Sequence, residues 1–225
     1  SYHYEDVIEI PKEYSGYSIL SENGEIIHTQ DINGRLYCKV SLPPLSFTTF
    51  SKGEKLKQSA NNASGYVLEN ELMKYTFSND GTLISALDKE TNNGLLDGPG
   101  NVLSLYEDRP LNWDAWDIDF YYKESLLETA KTNKIKQVIS GPVLSSLEFH
   151  YTVGNSILKQ KITLGNQSKR LDFDTYVEWK EKHKMLRVHF PTNIRSEQAS
   201  FDIQYGYVKR NTHKNTSWDR AKFEV

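Results

Sequence analysis

The 225-residue sequence predicts an all-β protein, and three observations support this fold class. Most periodic segments alternate apolar and polar residues, which is the pattern of a strand with one buried and one solvated face. Turn dipeptides such as Asn33-Gly34 separate these segments,. Outside residues 176–187, no segment has the apolar spacing of a helix longer than two turns,. We therefore expect short antiparallel strands packed as sandwiches.

The first fifty residues contain about five short strands, which end at Pro43-Pro44. Asn23-Gly24 and Asn33-Gly34 predict hairpin turns between them,. Cys38 lies within an alternating run and is expected to be a small core residue; as the single cysteine, it excludes an intramolecular disulfide,. Because fifty residues bury only a marginal core, we expect this segment either to pack against the neighbouring domain or to lack some of its strands.

Residues 51–65 are polar, contain almost no bulky apolar side chains, and predict the domain boundary,. We assign residues 1–57 to a small, incomplete sandwich, 58–65 to a linker and 66–225 to a larger domain. Residues 218–225 alternate like a strand in progress, so we expect either a C-terminal truncation of this domain or an edge strand that closes a sheet,.

Within the larger domain, Asp80-Gly81 predicts a hairpin, and residues 143–179 predict a three-stranded meander that turns at Gly154-Asn155,. Its last strand, 171–179, should bury one face. Residues 176–187 permit an amphipathic helix, but alternation continues on both sides of residues 180–182. We therefore prefer two strands joined by a turn,.

The composition excludes several functions. The net charge is −3, and no basic stripe indicates a nucleic-acid partner,. No apolar stretch of 18 residues is present, so we expect no membrane span,. Without a signal-peptide pattern, a cytoplasmic location fits best. No pair of the six histidines has the spacing of a zinc finger or a metalloprotease,.

Residues 106–120 form the most informative segment, with five carboxylates, one arginine and two tryptophans. Pro110 and Asn112 predict a loop,. Such a loop suits a sugar, because an indole covers the apolar face of a pyranose while charged groups bind its hydroxyls. The alternative is that Trp113 and Trp116 fill the core and the acids are solvated. The sequence leaves this choice open.

Neither a catalytic pair nor a metal site is expected in this loop. Retaining glycosidases need two carboxyl groups about 5–5.5 Å apart, and acids clustered in one loop are no evidence for such a pair. A calcium site at Asp114, Asp117 and Asp119 would lack the glycine and the terminal glutamate of the known loop,. A second stretch, 205–218, is rich in groups that bind hydroxyls; its simpler interpretation is an exposed loop after a strand,.

Several runs are recognisable: Glu107-Asp108-Arg109-Pro110, Asn112-Trp113-Asp114-Ala115-Trp116-Asp117, Glu181-Lys182-His183-Lys184, Val188-His189-Phe190-Pro191, Gln204-Tyr205-Gly206 and Thr212-His213-Lys214-Asn215-Thr216-Ser217-Trp218-Asp219. Together they resemble the glycoside hydrolase family 38 α-mannosidases, particularly the cytosolic and bacterial branch. The resemblance covers nearly the whole chain, in the order of the family.

This resemblance implies a parent enzyme that hydrolyses α-mannosides with retention of configuration. In the family, an N-terminal α/β barrel holds a zinc ion and an aspartate nucleophile, and a helical bundle and β-sandwich domains follow. The present sequence matches only the sandwich part and has no counterpart of the zinc ligands or the nucleophile. The resemblance therefore implies no cofactor and no activity for this chain alone, and a large domain resembling the supersandwich of galactose mutarotase-like folds.

The resemblance also implies that sandwich loops pack against the barrel and complete the sugar pocket. The candidate substrate-binding residues are Asp108, Arg109, Trp113, Asp114, Trp116, Asp117, His213 and Trp218. The expected partners are α-mannoside oligosaccharides, the N-terminal barrel and helical domain of the same chain and, for the parent, further copies in a homo-oligomer. Two alternatives remain open: a stand-alone carbohydrate-binding module, and an interdomain or dimer strut.

Overall fold

A computed structural model describes residues 3–55, 65–114 and 116–220 of the chain. Its N-terminal strands are β1 (Tyr4–Ile10), β2 (Tyr17–Leu20), β3 (Ile26–Ile27), β4 (Thr29–Ile32), β5 (Arg35–Leu42) and β6 (Ser51–Lys55). The later elements are β7 (Val67–Glu69), β8 (Met73–Phe77), β9 (Leu83–Asp88), β10 (Asn93–Gly94), β11 (Val102–Glu107), β12 (Leu126–Thr129), β13 (Lys131–Ile139), β14 (Leu144–Val153), β15 (Ser156–Gly165), β16 (Leu171–Glu178), β17 (Lys184–His189), β18 (Gln198–Ile203), β19 (Gly206–Asn211) and the helix α1 (Ser217–Arg220). Two 3₁₀ segments, Lys12–Tyr14 and Phe120–Glu124, complete the described elements. The all-β prediction is confirmed.

The N-terminal strands form two three-stranded sheets, β1-β5-β4 and β3-β2-β6. Both sheets contribute to one core cluster: Ile10, Ile19, Leu36, Cys38 and Val40. The hairpin predicted at Asn33-Gly34 joins β4 to β5, and both of its central residues have positive φ, as a type I′ turn requires,. Cys38 is completely buried, as predicted.

The polar segment that predicts the domain boundary is partly a strand. Residues 51–55 form β6, which pairs with β2 at the edge of its sheet and lies within the residues 1–57 assigned to the small sandwich. Four of the five are exposed, which explains their polar composition. Residues 56–64, with nearly all of the predicted linker 58–65, lie outside the described residues, and the linker stays a prediction.

The larger core lies among strands that follow residue 66. The sheet β10-β9-β8-β7 and the sheet β13-β14-β15-β16 share one cluster with residues of β11. Its buried members are Leu68, Met73, Tyr75, Phe77, Leu83, Ala86, Leu103, Leu105, Leu147, Phe149, Tyr151, Val153, Leu158, Ile162 and Leu164. A third sheet, β12-β11-β17, and the hairpin β18-β19 complete this part. The resemblance to a galactose mutarotase-like supersandwich stays a prediction.

The predicted meander is confirmed as β14-β15-β16. Val153 pairs with Ser156 across the Gly154-Asn155 turn, so this register places Leu147, Phe149 and Tyr151 on the buried face. The buried face predicted for β16 is incomplete, however. Val177 is 37% exposed and Trp179, just after the strand, 40%. This end of the sheet is uncovered among the described residues.

Residues 176–187 form two strands, as predicted, yet the strands do not pair with each other. β16 pairs with β15, whereas β17 pairs with β11 in another sheet. The connection between them therefore carries the chain from one sheet to the next. It brings His183 next to the end of β11, because the Asp108 amide donates a hydrogen bond to the His183 carbonyl over 2.8 Å.

Two expectations for the C-terminal part are wrong. Residues 206–211 of the stretch expected to be an exposed loop form β19, which pairs with β18. The strand expected from residue 218 begins instead as α1. The Thr216 hydroxyl accepts a hydrogen bond from the Asp219 amide, and the Asp219 carboxylate accepts one from the Thr216 amide, which is a capping box,. Residues 221–225 of that prediction lie outside the described residues.

The small sandwich is joined to the large one through Gln30, which is 7% exposed. Its side-chain oxygen accepts hydrogen bonds from the amides of Val143 and Leu144 over 3.0 and 2.9 Å. Its amide nitrogen donates to the Leu144 carbonyl over 3.0 Å. A buried side chain of the small sandwich thus satisfies backbone groups at the start of β14,.

None of the helices in the described parts of the chain is both long and apolar enough to cross a membrane.

Candidate functional site

The loop 107–119, which follows β11, is anchored at both ends. At its start, the amides of Glu107 and Asp108 donate hydrogen bonds to the carbonyls of Ser125 and His183 over 3.0 and 2.8 Å. At its end, Asp119 accepts bonds from the Leu111 amide and the Tyr121 hydroxyl over 2.8 and 2.5 Å. The carboxylate raises the pKa of Tyr121, because it accepts the phenol proton in a hydrogen bond,. The Asp119 carboxylate therefore stabilises the backbone of the loop through these hydrogen bonds.

The two tryptophans of the loop project into solvent. Trp113 has a positive φ of 58°, and its carbonyl accepts hydrogen bonds from the amides of Trp116 and Asp117 over 2.7 and 2.9 Å. This tight turn leaves Trp113 72% exposed and Trp116 87% exposed. The interpretation that the two side chains fill the core is therefore wrong. Both remaining readings, a sugar contact and a strut, require an exposed indole.

The charged side chains of the loop differ in how closely they approach an ionic partner. The Arg109 Nε lies 2.6 Å from Glu107 Oε1, so this guanidinium is paired within the loop. Asp114 Oδ2 is 4.0 Å from Nδ1 of His183, which belongs to the β16–β17 connection. Burial raises the pKa of Asp108, and the negative charge of Asp114 adds to this effect while His183 opposes it,.

A small cleft of about 70 Å³ lies behind the loop. Its lining consists of Glu107, Asp108, Arg109, Pro110, Asp119, Tyr121, Tyr122 and Ser125. Small-molecule pockets typically enclose about 300–1,000 Å³, so this cleft by itself cannot enclose a sugar. The loop offers an exposed aromatic surface rather than a closed pocket.

A second cleft of about 250 Å³ contains the predicted residue His213. Its lining consists of Tyr122, Lys123, Arg187, Ala199, Phe201, Arg210, Asn211, Thr212, His213, Lys214 and Asp219. We call it the cationic cleft. Tyr122 lines both clefts, so the loop and His213, far apart in sequence, lie on either side of one buried tyrosine.

Tyr122 is held by partners that sequence reasoning did not single out. Its ring packs edge-on against Tyr106 with centroids 5.4 Å apart. The Arg187 guanidinium lies 4.9 Å from the ring centroid and donates a hydrogen bond to the Tyr122 hydroxyl. Arg187 alternates with Leu186 and Val188, and this alternation could have indicated that it points away from the apolar face of β17,.

The structure thus brings together some of the predicted residues and separates others. Asp108 and Arg109 line the small cleft, and His213 lines the cationic cleft. Asp114 faces His183, whereas Trp113, Trp116 and Asp117 line neither cleft. Trp218 is 80% exposed on α1 and also lines neither. No finding tests their role as sugar ligands, which stays a prediction.

A third cleft, of about 440 Å³, lies elsewhere. It opens between the small sandwich, including His28 and Phe50, and the large one at Pro142 and Asn166. None of the predicted site residues lines it. Its size reflects the seam between the sandwiches, and the concentration of charged and aromatic groups around Tyr122 is a better indication of a functional site.

The described residues do not supply a zinc site. Within residues 3–55, 65–114 and 116–220, no group of three or more His, Cys, Asp or Glu side chains is arranged to hold a metal ion. The zinc ion implied by the family resemblance therefore does not fit these residues, and no step of the chemistry can be assigned to a metal on them.

Comparison with known proteins identifies the family. Residues 68–225 match the family described as "Glycosyl hydrolases family 38 C-terminal domain". The chain is 36% identical to alpha-mannosidase G of Dictyostelium discoideum over 97% of its own length, which is 22% of that protein. It is 42% identical to human alpha-mannosidase 2C1 over 56% of the chain and 12% of that protein. It is 30% identical to the alpha-mannosidase of Saccharomyces cerevisiae over 83% of the chain and 20% of that protein.

The chain therefore spans about a fifth or less of the length of these curated relatives. The family match covers most of the chain and includes the loop 107–119, Tyr122, Arg187 and His213. These findings show that the chain belongs to glycosyl hydrolase family 38, as part of the C-terminal domain of that family.

Proposed function

We propose that this chain is a non-catalytic β-sandwich part of a retaining, zinc-dependent α-mannosidase, and that its loop 107–119 forms one wall of the substrate site. The family membership and the α-mannosidase relatives support the parent activity. Because the chain corresponds to a small part of those relatives, the zinc ligands and the nucleophile are assigned to residues outside it. The chain alone should then hydrolyse no α-mannoside.

One observation carries the substrate-site role: Trp113 and Trp116 are exposed on a loop whose backbone is held by internal hydrogen bonds. Two exposed indoles leave a large apolar surface in water, which favours a covering ligand or partner. An indole can cover the apolar face of a pyranose, while the exposed carboxylates of Asp114 and Asp117 accept hydrogen bonds from its hydroxyls,. Hydrogen bonds restrain the backbone at both ends of the loop, which reduces the entropy lost when a sugar binds,.

The strut is the second candidate function, and the same exposed tryptophans support it as buried anchors of an interface,. In that role, Arg109 is expected to pair across the contact. Instead, its guanidinium is 2.6 Å from Glu107 of the same loop, so it already has an ionic partner. The Arg109 pair therefore gives the strut no additional support.

The test is the Trp113→Ala substitution in the natural protein that contains this chain, with an aryl α-mannoside as substrate. We expect KM to rise about three- to tenfold, since aromatic contacts contribute about 0.5–1.5 kcal/mol beyond their buried area. We expect kcat, the oligomeric state and the thermal melting temperature to stay unchanged. Leu111→Ala is the matched control, because Leu111 is 83% exposed in the same loop.

The opposite result identifies the strut. If Trp113→Ala lowers the melting temperature or disrupts assembly while KM is unchanged, the loop holds domains together and does not contact sugar. Calorimetric titration of the 225-residue chain with mannose oligosaccharides tests the stand-alone module: measurable binding by this chain alone would favour an independent carbohydrate-binding function over a wall completed by the barrel. Zinc-dependent hydrolysis by this chain would contradict the non-catalytic assignment.

A further inference from the structure

The cationic cleft has a lining whose charge is opposite to that of the whole chain. Lys123, Arg187, Arg210 and Lys214 line it together with His213. The chain as a whole has a net charge of −3. A cleft lined by one sign of charge concentrates the field and attracts ligands of the opposite sign. The binding of a neutral α-mannoside does not require these positively charged side chains.

The one carboxylate among the described lining residues, Asp219, has a structural role. Its Oδ2 accepts hydrogen bonds from the Thr216 amide and hydroxyl over 3.2 and 2.7 Å, which caps α1. The same oxygen lies 3.5 Å from the His213 Nδ1. Asp219 thus fixes the segment that carries His213 and Lys214.

Arg187 is pre-positioned in the cleft. Its guanidinium is half-buried, stacks over Tyr122 and donates one of its hydrogen bonds to the Tyr122 hydroxyl. A guanidinium has five N–H donors in a rigid plane, so the bond to Tyr122 orients the group while other donors remain for a ligand. Arginine held in this way suits the tetrahedral oxygens of a phosphate, to which it donates two bonds at once.

We propose that the cationic cleft binds the phosphate group of a small phosphomonoester, with Arg187 as the central ligand and Lys123 at the rim. The cleft volume of about 250 Å³ is larger than a phosphate ion needs and leaves room for a short organic group. Tyr122 and Phe201 provide apolar surface beside the charged groups. The proposal goes beyond the mannosidase role, because it concerns an anion and does not require that a sugar bind to the loop.

The test uses isothermal titration of the natural protein that contains this chain with glycerol 3-phosphate, glycerol, inorganic phosphate and malonate. Glycerol 3-phosphate should bind at least tenfold more tightly than glycerol, and inorganic phosphate should compete with it. Its affinity should fall as the salt concentration rises, since the interaction is between charges. Malonate, a carboxylate of similar charge, should bind more weakly. Binding of malonate as tight as that of glycerol 3-phosphate would overturn the assignment to phosphate.

Three substitutions locate the site. Arg187→Met should weaken glycerol 3-phosphate at least tenfold, because charge-assisted hydrogen bonds are the strong ones. Lys123→Met should weaken it about threefold without disturbing Tyr122, since Lys123 is exposed and a rim ion pair contributes little,. Lys209→Met is the control: Lys209 is exposed, neighbours Arg210 on β19 and does not line the cleft.

Equal weakening by all three substitutions would show a non-specific charge effect and overturn the proposal. The same holds if glycerol 3-phosphate binds no more tightly than glycerol. If Arg187→Met unfolds the protein, Lys123→Met and Lys209→Met still decide the question, because both positions are exposed. Neither outcome depends on α-mannoside hydrolysis, so failure here leaves the proposed function untouched.

Discussion

At the residue scale, Gly81 shows how a turn and the core constrain each other. Gly81 has a φ of +83°, a backbone angle that residues other than glycine adopt only with strain,. A Cβ atom placed on it would overlap the hydroxyl of Tyr151, which is 2% exposed in the main core. The Gly81 carbonyl also accepts a hydrogen bond from the buried Asn101 side chain over 3.0 Å. The Asp80-Gly81 turn is therefore a packing site as well as a hairpin connection.

Gly81→Ala should consequently destabilise the protein more than Gly24→Ala. Gly24 has a similar φ of +78°, but open space surrounds its Cβ position, so its substitution measures the backbone strain of about 1–2 kcal/mol,. Gly81→Ala adds the displacement of a buried ring, about 1–3 kcal/mol for an overpacked core. Urea denaturation measures both free energies of unfolding. Equal losses would show that the Tyr151 ring moves aside without cost.

At the scale of elements, the β16–β17 connection positions the loop 107–119. Glu181 in this connection has a side chain that is 2% exposed. The Glu181 carboxylate accepts a hydrogen bond from the Asn155 amide and lies 2.5 Å from the Lys184 ammonium. Two residues further, His183 has a φ of 50°, and its carbonyl accepts the bond from Asp108. The buried carboxylate thus supports the backbone on which the loop rests.

Glu181→Gln should reduce stability in a pH-dependent manner. Lys184 is the main cause that lowers the pKa of Glu181 below 4.5, and the Asn155 amide adds to it. A carboxyl whose folded-state pKa is lowered stabilises the protein above its unfolded-state pKa, and this contribution is lost as the pH falls through the folded value. The difference in the free energy of unfolding between the wild type and Glu181→Gln should therefore be constant from pH 7 to about 5. It should shrink below pH 4.5,.

Urea denaturation from pH 7 to pH 3 provides the measurement. Glu178→Gln is the control, because Glu178 also pairs with a lysine, Lys180, but both side chains are about half exposed. Exposed ion pairs contribute little, so this substitution should have a small effect at every pH. A Glu181→Gln effect as small as that of Glu178→Gln would contradict the anchoring role of Glu181.

At the scale of the whole molecule, Gln30 couples the two sandwiches. Its three hydrogen bonds satisfy backbone groups of Val143 and Leu144, and they are buried or partly buried. A Cβ atom at position 141 would overlap the Gln30 side chain, so Gly141 provides the room that this contact needs. The buried Gln30 amide therefore links the small sandwich to the start of β14 in the large sheet.

Gln30→Leu should separate the unfolding of the two sandwiches. The substitution leaves two backbone N–H groups without their acceptor, which costs about 1–3 kcal/mol for each buried group. Differential scanning calorimetry should show a transition at lower temperature for the small sandwich, whose core has few buried residues,. Gln198→Leu, at an exposed position of β18, should leave the profile unchanged. An unaltered profile for Gln30→Leu would mean that other contacts couple the sandwiches.

The sequence by itself determined the local structure of this protein. Alternation of Leu147, Phe149 and Tyr151 placed one face of β14 in the core, because successive side chains of a strand point to opposite sides,. The dipeptides Asn33-Gly34 and Gly154-Asn155 marked hairpin turns, because short loops of this kind need residues that tolerate positive φ,. The motifs in residues 107–117 also indicated the family, which the comparisons confirmed.

The tertiary structure alone decided which distant residues meet. The alternation of residues 176–187 predicted two strands, but pairing with β11 rather than β16 depends on contacts far along the chain. Exposure of Trp113 and Trp116 follows from how the loop is anchored, and no local pattern separates an exposed indole from a buried one. The cationic cleft likewise arises because β17, β19 and the segment at Tyr122 converge in space. Period and turn chemistry act over a few residues, whereas a site depends on packing between elements that the sequence separates.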